Sequence, residues 1–286
     1  MRAQSPIRRI AGCAVLWLAV AGPASAQIDL SGQLAGRFHE DQEHRVPGPE
    51  LGDYLGLPIN DAARLKADSW DASILSLREH QAKPHPSTYS LRGPANIRIT
   101  KVFDAVTQET IGYEIFGTFG QATRTIWLDG RAHPSEHAEH TWAGFSTGAF
   151  HNGELTVTTT HMKLGVIQKV GVFTSPYSVM TEHFFRHGTL MTSVTVIEDP
   201  IYLEEPFIRT QTWVLNPNQN VAQALPWEPV DELAGKQVGW VPHYPLGTRH
   251  TEPAETYGIP FEATLGGANT TYPEYQRTIE QLRSKP

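Results

Sequence analysis

Between residues 96 and 215 apolar and polar positions alternate in short runs broken by turn residues. Ile97, Ile99 and Phe103 line one side of the first run, Ile111, Tyr113, Ile115 and Phe119 one side of the second, and Thr123 to Leu128 form a third. A period of two, with no helical period between the runs, predicts consecutive antiparallel strands rather than βαβ units. On either side the alternation gives way to chain studded with Pro and Gly. Two stretches there read as helices. One is 60–68, where Asn60 can cap and Asp61 suits the N-terminal dipole; the other is Pro273 to Arg283, with Pro273 at a first-turn position.

Two turns set registers. Asn152 and Gly153 tolerate the positive φ that both central residues of a type I′ turn require. Pairing outward from them sets Phe150 opposite Leu155, Gly148 opposite Val157, Ser146 opposite Thr159 and Gly144 opposite His161. Glu154, Thr156, Thr158 and Thr160 occupy the other face and suit solvent, so the first set points inward. Its small residues leave either a cavity or a slot for a neighbouring ring. A second turn at His187 and Gly188 places Phe185 opposite Leu190, His183 opposite Thr192, Thr181 opposite Val194 and Val179 opposite Val196, with His183 on the inward, mostly apolar face.

The fold class that follows is mainly β: an antiparallel meander closing into a calycin-like barrel, with a β-sandwich as the competing arrangement. Residues 96–215 make the core, 27–95 and 216–286 make irregular N- and C-terminal arms, and two or three short helices complete it. A barrel of this kind holds one small ligand. Trp127, Trp142 and Trp213 offer it aromatic surface, and Arg186, Arg209 and Glu182 could pair across strands or anchor an anion.

Composition adds compartment and exclusions. Arg2, Arg8 and Arg9, the apolar run Ala14 to Val20 and the small residues Ala24, Ser25 and Ala26 read as an export signal over 1–26, which implies a periplasmic or secreted product. That run is shorter than the roughly 20 residues a membrane span needs, so no membrane insertion is expected. Cys13, the one cysteine, falls inside the signal, which excludes disulfides and thiol chemistry from the processed chain. The net charge of −7 disfavours a nucleic-acid partner, and no Gly-rich loop opens a helix to cradle phosphates.

Several segments carry a resemblance. Arg124-Thr-Ile-Trp-Leu-Asp-Gly-Arg131 followed by His133-Pro134, Gly144 to Gly148, Gly153 to Lys163, and Asp199 to Pro206 resemble a widespread, largely uncharacterised family of secreted bacterial β-rich, lipocalin-like proteins. The similarity extends over most of the chain, including Asp53 to Trp70 and Tyr272 to Gln276. It implies export and a shared β-rich fold, and no particular activity. Members of that family often carry Cys where this chain has Ala82 and Trp227, which the resemblance reads as loss of a dispensable disulfide.

Three functions fit this reading. In the first, His161 and His183 converge on the cavity as general base and acid, since an ordinary pKa of about 6.5 lets imidazole exchange protons near neutrality. Ser146, Thr159 and Thr192 orient them, and the enzyme is a lyase, hydratase or isomerase that acts without a cofactor on a hydrophobic or aromatic small molecule. In the second, the cavity only carries its ligand, each His being a hydrogen-bonded interior group. In the third, His133, His137 and His140 share a face of a helix starting at Pro134 and hold zinc for hydrolysis. The GxSxG of Gly144 to Gly148 sits in a hairpin strand rather than a strand-to-helix turn and so is no nucleophile elbow. Glu198, Asp199, Glu204 and Glu205 read as a solvated rim, and His39 to His44 as a loop.

Overall fold

The computed structural model describes residues 28–37, 52, 54–70, 83–89, 96–117, 122–168, 171–221, 235–237 and 251–285. Phe119, the 1–26 segment, His39 to His44, Ala82 and Trp227 lie outside them.

The alternating runs between 96 and 215 form strands as expected, and a strand from the segment read as an irregular N-terminal arm joins them: β1 Gly32–Gly36, β2 Ile97–Phe103, β3 Thr110–Gly117, β4 Arg124–Trp127, β5 Phe145–His151, β6 Glu154–Thr160, β7 Gly165–Gln168, β8 Val172–Thr174, β9 Val179–His187, β10 Leu190–Glu198 and β11 Phe207–Leu215. Nine of them close into a barrel in the order β1, β11, β10, β9, β6, β5, β4, β3, β2, while β7 and β8 make a separate two-stranded sheet. All neighbours are antiparallel except β4 and β5, which run parallel with Ile126 beside Ser146 and Trp127 beside Thr147. A purely antiparallel meander is therefore corrected at one seam. Strands that alternate direction around a ring close only in even number, so nine force one parallel pair. Parallel neighbours need a long crossover, and residues 128–144 supply it.

The barrel interior is packed. Leu34, Ile97, Ile99, Ile126, Leu155, Val157, Phe184, Met191 and Trp213 form its apolar core. At one end Met180 and Ile197 join a second cluster with Met162, Ile167 and Val172 and with Ala63 and Ala67 of helix α1, Asp61–Asp68. Asn60 caps α1 as expected, its Oδ1 accepting from Ala63 N at 3.0 Å. The C-terminal arm carries α2, Glu252–Tyr257, and α3, Tyr275–Arg283; α3 was expected, and α2 was not. Of the four carboxylates read as a rim, Glu198 is exposed, while the others tether neighbouring segments. Asp199 is buried and accepts from Ser175 Oγ at 2.7 Å and Ile201 N at 2.9 Å, while Glu204 accepts from Ala268 N at 3.0 Å.

Between the two apolar clusters lies a polar layer. Arg124 donates to Glu182 through Nη1 at 2.5 Å and Nη2 at 3.1 Å, with 4% and 1% of their side chains exposed. Thr159 receives Arg124 Nη1 at 3.5 Å and shares a 2.8 Å hydroxyl contact with Ser146. Arg209, also buried, donates to Thr88 O at 2.6 Å. Such a bidentate pair satisfies both charges where water is excluded.

Candidate functional site

The first hairpin has the expected register from Phe150 and Leu155 to Ser146 and Thr159, around a turn with Asn152 and Gly153 at φ 50° and 82°. It stops short of Gly144 and His161. His161 adopts φ 57°, Gly144 φ 69°, and neither belongs to a strand. The left-handed kink at His161 ends the inward and outward alternation, so its ring leaves the barrel interior. Among the described residues the slot beside Gly148 is filled: a Cβ there would meet Leu155, Ile126 and Leu128 side chains at 3.0 to 3.2 Å.

The second hairpin pairs His187 with Leu190, Phe185 with Thr192 and His183 with Val194, a slip of two residues from the expected register. A slip of two preserves the faces, but the inward one is Met180, Glu182 and Phe184. His183 is outside. Glu182, expected to pair across strands with Arg186 or Arg209 or to anchor an anion, faces inward and pairs with Arg124.

The residues singled out from the sequence therefore occupy three places. Ser146, Thr159 and Trp213 are interior, the first two in the polar layer and Trp213 wholly inside the apolar core. Outside, His183 Nδ1 contacts Glu154 Oε1, which also accepts from Thr156 Oγ1 at 3.0 Å. This hydrogen bond holds the Glu154 carboxyl below its usual pKa. Thr192 Oγ1 meets Thr212 Oγ1 at 3.1 Å, Arg186 binds the carbonyls of Asp29 and Gly188, and Trp127 lies under the Arg131 guanidinium at 3.6 Å. None of these lines a shared cavity with His161, which corrects the picture of two imidazoles meeting inside the barrel.

The third place is the 128–144 crossover, and it gathers His133, His140, Trp142 and His161. No helix follows Pro134, so the expected face of His133, His137 and His140 does not form. His137 is turned out to solvent beside Glu136, and among the described residues no group of three His, Asp or Glu could hold a metal. Instead the crossover is pinned to the barrel wall. Thr141 N donates to His161 O and Lys163 N to Thr141 O, both at 2.9 Å, forming a short parallel bridge. That bridge sets His140 beside His161, ring centroids 5.2 Å apart, and Lys163 Nζ 5.7 Å from the Trp142 ring centroid.

The hydrogen-bond chain through these rings has one consistent neutral assignment. Ser135 O only accepts, so His161 Nε2 donates to it at 2.9 Å, and Nδ1 receives the Thr160 hydroxyl at 2.7 Å. Thr160, its proton used, accepts from His133 Nδ1 at 2.7 Å, and Thr147 donates to His133 Nε2 at 2.8 Å. Both rings are fully engaged. Burial, followed by the proximity of His161, pushes the His133 pKa down. His140 differs: Nδ1 donates to Met162 O at 2.9 Å, and no hydrogen bond from a described residue reaches Nε2. A neutral imidazole held through Nδ1 with a bare Nε2 lone pair has the form of a general base. The sequence marked His140 only as a zinc ligand and gave no weight to Thr147, Thr160 or Lys163. The TTTH run does place Thr160 and His161 side by side, yet nothing in it signals the kink that turns the ring toward Ser135.

No protein-family model, no curated protein and no solved structure matches this chain.

Proposed function

We propose that this chain is an exported β-barrel protein that binds a small aromatic molecule against Trp142 and abstracts a proton from it with His140, as a lyase, hydratase or isomerase working without a cofactor. The observation that carries the reading is the His140 imidazole, oriented by the Met162 carbonyl with Nε2 open, two residues from an indole that is only part-buried. His161, Thr160 and His133 hold the crossover in register and act as positioning residues. The sequence resemblance to secreted bacterial proteins supports export.

A second reading assigns the base to His183, because Glu154 orients its Nδ1 and no hydrogen bond from a described residue reaches its Nε2. Ring-proton abstraction from 5-nitrobenzisoxazole, a flat aromatic probe that reports a positioned base, separates the two. Faster elimination than an equal concentration of free imidazole, lost about 100-fold in His140→Gln and kept in His183→Gln, is expected. Loss in His183→Gln alone transfers the role to the Glu154 dyad. Tight probe binding with no elimination by the unaltered protein makes it a carrier, and the catalytic proposal fails.

A further inference from the structure

We infer that Gly144 is a positioning residue that fixes His140 in its Nδ1–H tautomer, an inference that rests on the proposed use of that ring as a base. In a neutral imidazole the nitrogen that faces an obligate acceptor keeps the proton and leaves the other bare. For His140 that acceptor is the Met162 carbonyl, the ring's one hydrogen-bond partner among the described residues. Whatever keeps this carbonyl 2.9 Å from Nδ1 therefore decides which nitrogen is the base.

Met162 is wholly buried with Ile167, Val172 and Met180, so it cannot move out to meet the ring. The crossover must come to it. Gly144 sets how closely it does so. Its nitrogen donates to Thr141 O at 3.3 Å, its carbonyl accepts from Thr141 Oγ1 at 3.3 Å, and its φ of 69° leads the chain into β5. A Cβ at this position would meet Thr160 O at 2.6 Å, Met162 Cγ at 2.7 Å and Thr159 Cγ2 at 2.9 Å. All three atoms belong to the segment that carries the Met162 carbonyl. Thr160 O is backbone, in a residue paired with Phe145 at the end of β6, so no side-chain rotation makes room. The bare α-carbon of Gly144 thus lets the Thr141–Gly144 turn close on 159–162, and His140, one residue before the turn, comes with it. This gives the first glycine of the Gly144 to Gly148 motif a role that the second does not share. A Cβ on Gly148 would meet the side chains of Leu155, Ile126 and Leu128, and nothing from 159–162.

NMR of the full chain labelled at its histidine ring nitrogens reads the tautomer directly in alkaline buffer, where imidazoles are neutral, with the His140 signals assigned through His140→Gln. The unaltered protein should show a protonated Nδ1 and a bare Nε2. Gly144→Ala should lower the ratio of Nδ1–H to Nε2–H tautomer at least about fivefold, the equivalent of one lost hydrogen bond. Gly148→Ala, which crowds the barrel core instead, should leave the ratio unchanged. Thr141→Val keeps the glycine and removes only the hydroxyl that closes the turn; it should move the ratio in the same direction, and it decides if Gly144→Ala does not fold. A native ring protonated at Nε2, an unchanged ratio in the deciding variant, or an equal change in Gly148→Ala overturns the inference. The stated tautomer without elimination of 5-nitrobenzisoxazole leaves the inference standing and removes only the catalytic reading.

Discussion

At the scale of single residues the interior ion pair and the exterior histidines answer to different physics. Arg124 and Glu182 sit where water cannot compensate a lone charge. Glu182→Leu should therefore cost about 3–5 kcal/mol of stability by leaving the guanidinium unpaired, while Arg124→Met combined with Glu182→Leu should recover most of it. Urea denaturation of the three variants gives the answer; a single variant no worse than the double would mean the pair is solvated. This pair also explains where sequence reasoning failed. Glu182 reads as a partner for Arg186 or Arg209, but its partner Arg124 lies 58 residues away on β4, so no local pattern reveals that the glutamate is inside and His183 outside. His161 failed differently: a non-glycine residue at φ 57° is uncommon even for histidine, which enters that region more often than most. By contrast Asn152 and Gly153 specify their turn chemistry locally, and the register of β5 and β6 followed from them.

At the scale of elements, the crossover between β4 and β5 is fastened by imidazoles, which makes its attachment depend on pH. His133 has its folded pKa depressed, so the neutral ring is the form the structure favours. The unfolded chain takes up the proton first as pH falls. The stabilisation is thus complete above about 6.5 and is lost as pH drops from there through the lower folded value. Compared with His133→Asn, the native protein should be more stable by about 1–2 kcal/mol at pH 7.5, from two hydrogen bonds, with the gap narrowing by pH 5. Paired urea titrations at the two pH values check this; a gap that is constant or grows in acid would show that the ring is not held neutral. Lower still, Asp29 keeps its charge. Partial burial opposes this, but hydrogen bonds from Lys101 and Ser31 outweigh it and bring the carboxyl to about 2.

At the scale of the whole molecule, closure depends on β1, which joins β2 through Leu34 and Ile97 and β11 through Leu34 and Leu215. Alternation across 96–215 predicted the walls of the barrel but gave no reason to single out this short Gly-bounded strand, because GQLAG has a single apolar anchor. A chain beginning at residue 37 should expose the edges of β2 and β11 and lose Leu30 and Leu34 from the core. Size-exclusion chromatography and thermal unfolding should then show self-association and loss of the cooperative transition; a monomer with an unchanged midpoint would mean the wall stands without β1.

The odd strand number has a lasting consequence. Barrels grow or shrink most readily by whole hairpins, two strands at a time, and such a change cannot alter parity. Wherever a hairpin is inserted or removed, at least one like-directed pair remains. Hairpin exchange that leaves β4 and β5 in place can thus resize the core while keeping the like-directed seam whose connection carries His140 and Trp142.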